Sequence, residues 1–429
     1  MEKQLPKVLA VCINAWRIDA TAHTLMNIFS CWKPEQLSML YTRSDLPFTA
    51  VCDRFFQISE NDVLHSVFKP WIKTGREVYN TENMSSSQVA KEHARYAKAH
   101  KHHSMFLSLC REAVWWLGHW KSKEMRKFID EVNPDLIFVP IYPVVYMGWI
   151  QRYIIRKTQK PFVCYMADDN YSYSSCKGIL SYFHRFLLRQ QVRWLSTHCK
   201  EMFVIVDKEK EETDKLFKTN SVILTKGIDF KSKMFIQKPV NNPIKFVYTG
   251  SLIIGRSSTL ASLADAINSI NSDGVRATLD VYSADQVEPA LEARLNSGAS
   301  KLCGFIPREK VNEVQRDADV VVFAEALHGK EANIARLSFS TKITDYLSNG
   351  KCVLAIGRET IAPIDYFVRN DSALVASTED EIYNQVKRIV DSPEIVAEYA
   401  EKAYSCAKRN HDKELMDNRF INTMIRAVK

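Results

Sequence analysis

Glycine and proline are scarce in this chain, 13 and 14 in 429 residues. That scarcity excludes a collagen-like rod, a low-complexity linker and a disordered tail, all of which need far more of one or both. Paired cysteines are missing too. The ten cysteines, Cys12, Cys31, Cys52, Cys110, Cys164, Cys176, Cys199, Cys303, Cys352 and Cys406, are scattered, with none two or three residues from another. No zinc ribbon or redox pair can be built from that spacing, and thiols in a reducing cytoplasm are expected. Long apolar runs are lacking as well. The longest, Leu136 to Ile150, is broken by Pro140 and Pro143 and falls short of the ~20 residues needed to cross a bilayer. Near the amino terminus, Lys3 and Lys7 precede only a few apolar residues, a pattern expected of a strand rather than a secretory leader.

What remains is globular: 46% hydrophobic, 11% aromatic and 25% charged residues. At about 150 residues per domain, this length makes two or three domains. Charge divides the chain. Residues 1–240 hold 35 basic and 24 acidic side chains, and the remainder hold 23 and 26. A basic first half suits an anionic ligand or membrane surface, or is simply a solvated basic face.

Short apolar runs alternate with helix-length amphipathic segments. In the first half the runs are Lys7 to Ile13, Asp135 to Pro140, Pro161 to Met166, Met202 to Val206 and Ser221 to Leu224. The second half repeats the rhythm at Ile244 to Tyr248, Ala277 to Tyr282, Lys301 to Phe305, Asp319 to Phe323, Cys352 to Ile356 and Ala373 to Val375. Helical patterns lie between, as at Thr259 to Ile270 and Arg308 to Ala318. Apolar strands alternating with helices predict an α/β fold of two doubly wound parallel sheets, joined near 238–243, where proline and asparagine cluster. The segment 68–128 differs: lysines and histidines interleave with Trp71, Trp115, Trp116 and Trp120. It reads as a helical basic insertion, either with a Trp-rich core face or suited to a membrane surface. His100, His102 and His103 lack the i, i+4 spacing of a helical metal site, so no metal is expected there.

Ligands of doubly wound sheets bind beyond the carboxyl ends of the strands. Three segments in such places carry chemistry. After the run 244–248 comes Thr249-Gly250-Ser251, with Arg256 close behind. Gly250 permits close backbone approach, and the Arg256 fork fits phosphate oxygens. The segment Arg336 to Ile356 opens a helix with Ser338, Ser340 and Thr341, buries Ile343, Tyr346 and Leu347, and puts Lys342 and Asp345 on another face. Free N–H groups and a lysine in the first turn attract an anion, and an acid one turn on accepts from vicinal ribose hydroxyls. That is the logic of a nucleoside diphosphate site; a capped helix with a Lys–Asp surface pair is the plainer alternative. Thirdly, Asp168 and Asp169 follow the run 161–166, as Asn14 and Trp16 follow the first run. All four are placed where a second, acceptor substrate can meet them, the acids by binding its hydroxyls or, for Asp168, by helping to deprotonate it; a solvent-exposed helix cap is the plainer alternative for the two acids.

Tyr248-Thr249-Gly250-Ser251-Leu252 with Gly255-Arg256, then Gly304-Phe305-Ile306, then RLSFSTKITDYLSNGKCVLAIG resemble the carboxyl-terminal domain of family 4 glycosyltransferases. The approach Phe203-Val204-Ile205-Val206, a charged helix, and Lys226-Gly227-Ile228-Asp229 is similar too, so the resemblance runs from about 200 to 410. It points to a bacterial branch that builds surface polysaccharides: capsule, O-antigen or lipopolysaccharide, exopolysaccharide. It implies the GT-B fold, two Rossmann-like domains facing a central cleft: an acceptor domain over 1–240, a nucleotide-sugar domain over 243–410, and a terminal helix at 411–429 crossing back. It implies retaining, metal-independent hexosyl transfer from a nucleotide-diphosphate sugar to a saccharide acceptor, lipid-linked or free, by a cytoplasmic enzyme with peripheral contact at the inner membrane face. No cofactor beyond the donor is expected, and no nucleic acid. By position, Gly250 and Ser251 lie beside the diphosphate and Arg256 binds it. Phe305 and Ile306 meet the base through backbone groups. Ser338, Phe339 and Ser340 offer N–H donors, and Asp345 holds the ribose.

Two departures stand out. The family's first acid, eight residues before Asp345, is here Leu337, and its usual lysine after the phosphate arginine is missing from Arg256-Ser257-Ser258-Thr259. Lys342 is expected to supply the cation, and Glu325, after the run 319–323, the carboxylate to the sugar, with a helix-capping or ion-paired Glu325 as the plainer alternative. A sugar-nucleotide epimerase of the same architecture and a non-catalytic partner subunit are the competing expectations.

Overall fold

The computed structural model describes residues 5–18, 24–80 and 104–429. The chain divides into two compact units. One comprises Met1–Ile205, Lys210–Thr225 and Asp417–Lys429; the other comprises Val206–Glu209 and Lys226–Met416. The segment 238–243 thus lies within the second unit.

The first unit is built on a sheet of eight strands: β1 (Val8–Cys12), β2 (Leu37–Tyr41), β3 (Arg54–Gln57), β4 (Arg76–Val78), β5 (Leu136–Pro140), β6 (Phe162–Met166), β7 (Glu201–Val204) and β8 (Val222–Ile223). Their order is β4-β3-β2-β1-β5-β6-β7-β8, parallel except for β4. β1, β2, β5 and β6 are buried along their whole length, which is why they read as unbroken apolar runs. The helix Val145–Thr158 is anchored at its start by Glu112, whose two oxygens accept from Val145 N–H at 3.0 Å and Tyr146 N–H at 2.8 Å. A carboxylate at a helix N-terminus satisfies free donors and opposes the dipole. Trp115, fully buried, stacks on Tyr146 at 4.4 Å. The basic insertion is therefore partly core: its described part gives β4 and the helices Met105–Leu117 and Lys123–Val132, while Lys91, Lys98, Lys101, His93, His100, His102 and His103 lie outside the described residues.

In the second unit six parallel strands, β9 (Ile244–Thr249), β10 (Ala277–Tyr282), β11 (Ser300–Gly304), β12 (Val320–Ala324), β13 (Cys352–Ile356) and β14 (Leu374–Ala376), run in the order β11-β10-β9-β12-β13-β14. The strand order reverses between β9 and β12, and a ligand crevice belongs at that point. No helix among the described residues is long and apolar enough to cross a membrane.

Candidate active site

The second unit brings five of the expected residues, Gly250, Ser251, Arg256, Glu325 and Lys342, to the carboxyl edge of β9 and β12. Gly250 follows β9 with φ +146°, and a Cβ built on it would stand 1.7 Å from the Lys342 Nζ. Only glycine leaves room for that ammonium. The chain then turns at Gly255 (φ +75°), which caps the helix Arg256–Ile270 and puts Arg256 at its first position. The turn between is held by an acid the sequence did not point to. Asp285, just beyond β10, accepts from Ser251 Oγ at 2.6 Å and from Leu252 N–H at 2.8 Å. The Tyr248 hydroxyl donates to the Ser251 carbonyl at 2.6 Å. An acid two or three residues beyond a strand end was the available signal for Asp285.

Arg256 faces Glu325 in a two-toothed ion pair, Nε to one carboxylate oxygen at 3.0 Å and Nη2 to the other at 2.9 Å. Glu325 is buried and extends β12, its N–H bonded to the Ile356 carbonyl and its own carbonyl accepting from Thr259 Oγ1 at 2.9 Å. Burial works to lower the proton affinity of Arg256; the hydrogen bond and charge of Glu325 outweigh it and hold the guanidinium firmly charged. The Nη1 edge is the one left to a ligand. Both Glu325 oxygens are thus already engaged by Arg256.

Lys342 lies in the first turn of the helix Thr341–Ser348, whose cap is Ser340: Oγ accepts from the Lys342 N–H at 3.3 Å. Its Nζ stands 5.3 Å from the centre of the Tyr248 ring. Burial, and after it the charge of Arg256, brings the ammonium down from 10.5 to about 8. Among the described residues no carboxylate pairs with it. A largely buried cation beside a second cation is costly unless an anion completes it.

The other expected residues are less uniform. Asp345 is engaged by Lys226, Nζ to Oδ1 at 2.7 Å, a partner not expected from the sequence although Lys226 lies in the Lys-Gly-Ile-Asp run. Ser338 does not offer its N–H outward: the group is bonded to the Ala335 carbonyl at 3.2 Å. The Phe339 ring packs at 4.9 Å from Tyr366. Phe305 is exposed after β11 with Ile306 half-buried beside it. Leu337 is buried, consistent with an apolar rather than a ligand-binding side chain.

In the first unit, Asn14 is exposed just after β1 and Asp168 is exposed just after β6. Asp169 instead organises its own loop, accepting at Oδ1 from Tyr171 N–H at 3.3 Å and Ser172 N–H at 2.8 Å. Trp16 departs from expectation. Its ring lies 5.2 Å from Phe29 and is 6% exposed, so it builds core rather than an open wall for an acceptor. Among the described residues no group of three His, Cys, Asp or Glu side chains is arranged to hold a metal.

No family model matches the chain, and a search of curated proteins finds no match. Solved structures do match. HepE of Anabaena in complex with UDP superposes with a TM-score of 0.62 at 10% identity, covering 98% of this chain and 99% of that one. TarM gives 0.61 at 6% identity over 97% and 98%. Sucrose-phosphate synthase from Thermosynechococcus elongatus gives 0.59 at 9% identity over 96% of each. The fold is thereby shown: it is the GT-B fold of glycosyltransferases.

Proposed function

We propose that this chain transfers a sugar from a nucleotide-diphosphate donor to an acceptor hydroxyl. The observation that carries the reading is Lys342. A largely buried ammonium, without a carboxylate partner among the described residues, sits in a space that Gly250 leaves open at the strand-order reversal. A pyrophosphate is the anion that fits it, and HepE was crystallised with UDP and with UDP-glucose.

The chemistry follows from charge. As the glycosidic bond to the donor breaks, negative charge grows on the leaving phosphate and positive charge on the sugar ring. Preorganised cations and N–H dipoles stabilise that separation because they need not reorient. Lys342, the Nη1 edge of Arg256 and the N–H groups opening the helix Thr341–Ser348 are proposed for that role, in place of a divalent metal. Gly250 and Ser251 let the diphosphate approach, Phe305 and Ile306 meet the base, and Asp345 holds the ribose by exchanging Lys226 for hydroxyls. Glu325 orients Arg256 and meets the sugar. With retention of configuration, the departing phosphate takes the acceptor proton. Asn14, Asp168 and Asp169 are proposed on the acceptor side, with Asp168 assisting deprotonation. We further place the enzyme in family 4 and in bacterial surface-polysaccharide synthesis, in the cytoplasm, with a saccharide acceptor on a lipid carrier and peripheral contact with an anionic membrane.

Arg256→Ala and Lys342→Ala are each expected to lower turnover about 10²-fold, as lost oxyanion-type donors do. Steady-state rates with the donor identified by a thermal-shift screen of nucleoside diphosphates and their sugars test this, since ligands of the folded state raise its melting temperature. Undiminished turnover in both variants defeats the assignment. Nucleotide sugar epimerised without acceptor would instead establish the epimerase, and no nucleotide-sugar binding at all the non-catalytic partner.

A further inference from the structure

The first unit carries a second cationic site that sugar transfer does not use. Trp149, Arg152, Tyr153 and Arg156 follow one another at i, i+3, i+4 and i+7 on the helix Val145–Thr158, and so share a face. Trp116, Trp120 and Lys121 close on that face to form a hollow of about 460 Å³. Among the described residues it has aromatic walls and three cations, and no carboxylate lines it.

The cations are held ready and left uncompensated. The Arg152 guanidinium lies 4.5 Å over the Trp194 ring and donates to the neutral Gln191 Oε1 at 3.1 Å. Arg156 reaches over the same ring at 5.7 Å. Lys121 Nζ stands 5.1 Å from the Trp120 ring and 5.4 Å from that of Tyr153. Among the described residues none of the three has a carboxylate partner. The contrast is Lys157, next along the helix, which takes Asp130 at 2.5 Å. Like charges four apart on a helix repel. Burial, and after it the charge of Arg156, lowers the proton affinity of Arg152. Two guanidinium groups stacked on one indole gain from an anion between them.

We propose that this hollow binds an acidic oligosaccharide, at a site separate from the acceptor residues. Indole faces bury the C–H faces of sugar rings, and guanidinium forks take carboxylate or phosphate groups two-fold. A simple anion uses only the cations, and a neutral glycan only the walls; an acidic glycan uses both. Position sets the site apart. The helix starts a short connection beyond the end of β5, and at 1.5 Å per residue Arg152 and Arg156 lie about 10–17 Å along it. Asn14 and Asp168, by contrast, follow the carboxyl ends of β1 and β6. The inference does not depend on the donor site.

The test is titration of the full chain with hexagalacturonate, followed by tryptophan fluorescence and calorimetry, beside its fully methyl-esterified form. The acid is expected to bind, more weakly as salt rises, and the ester at least tenfold more weakly still. Arg152→Gln with Arg156→Gln is expected to weaken binding tenfold or more. Because Arg152 also packs on Trp194, Trp116→Ala is the companion variant. Its ring is exposed, so its melting temperature should match the parent while affinity falls. Equal binding of acid and ester, equal binding by the variants, or no binding at millimolar hexagalacturonate overturns the proposal. So does capture by phosphatidylglycerol vesicles that the double arginine variant loses while hexagalacturonate binds neither protein; that result would assign the hollow to a lipid surface. Calorimetry with UDP, run in parallel, reads the donor site alone.

Discussion

Lys342 works against the stability of the molecule that holds it. Its proton affinity falls from 10.5 to about 8, with burial the largest cause. Between those values the unfolded chain binds more protons than the folded one, so stability rises with pH across that window. Below about 8 the folded protein carries the charge at full cost. Lys342→Met, close in length and apolar, is therefore expected to melt higher than the parent at pH 7. The gap should narrow markedly by pH 10, while donor binding is lost. Melting curves of both proteins at the two pH values check this, and a lower melting temperature for the variant at pH 7 refutes it. The same group fixes the proton balance of binding. An anion beside Nζ raises its affinity for protons, so near pH 8 nucleoside diphosphate binding should take up a fraction of a proton. Calorimetry in buffers of different ionisation enthalpy measures the uptake; a value of zero places the anion elsewhere.

At the scale of the element, the turn from β9 into the helix Arg256–Ile270 is preorganised by Asp285, whose Oδ2 receives both Ser251 Oγ and the Leu252 N–H. Asp285→Asn keeps the shape and removes the charge from those bonds. About tenfold weaker donor binding is expected, near 1.4 kcal/mol, with turnover at saturation changed little. Unchanged affinity by calorimetry would make the acid a bystander. Sequence showed these elements unevenly. β13 (Cys352–Ile356) falls where its apolar run does, because a strand covered on both faces has no polar side to blur it, and β10 (Ala277–Tyr282) shows instead as an alternation, with every second residue buried. β2 (Leu37–Tyr41) is equally buried but only five residues long and follows a short 3₁₀ turn over Pro34–Gln36, so nothing separates it from a loop on pattern alone. β4 (Arg76–Val78) is an edge strand with Arg76 and Glu77 exposed and carries no apolar signal. The site was legible where one residue type does one thing: Gly250, Arg256 and Lys342 converge as expected. Pairings between distant segments, such as Arg256 with Glu325 and Lys226 with Asp345, were not readable, because one sequence gives the residues and not their neighbours. Trp16 misled because a strand-end position places a residue near an edge without fixing which way its ring turns.

Across the whole molecule, the last helix, Lys413–Val428, ties the chain's end to its beginning. It starts among residues of the second unit, and Asp417–Lys429 belong to the first. There Phe420 is fully buried, at 4.8 Å from the Phe29 ring, 5.3 Å from Trp32 and 5.5 Å from Phe203. Those partners come from the helix Thr24–Phe29, the segment after it and β7, so one ring near the chain's end joins Phe29 near its beginning to Phe203 in its middle. Arg426 adds an ion pair to Glu201, with Nη2 at 2.8 Å from one oxygen. That pair is half-exposed and contributes at most about 1 kcal/mol. The ring matters more. Phe420→Ala removes a large side chain from a closed aromatic cluster and is expected to cost about 3–5 kcal/mol. A domain is stable by only about 5–15 kcal/mol in all, so this change takes a large share of the first unit's stability. Urea unfolding followed by tryptophan emission should show the midpoint falling, while the nucleotide binding proposed for the second unit is expected to survive wherever that unit stays folded. An unfolding free energy within about 0.5 kcal/mol of the parent would mean that the first unit closes its core without the terminal helix.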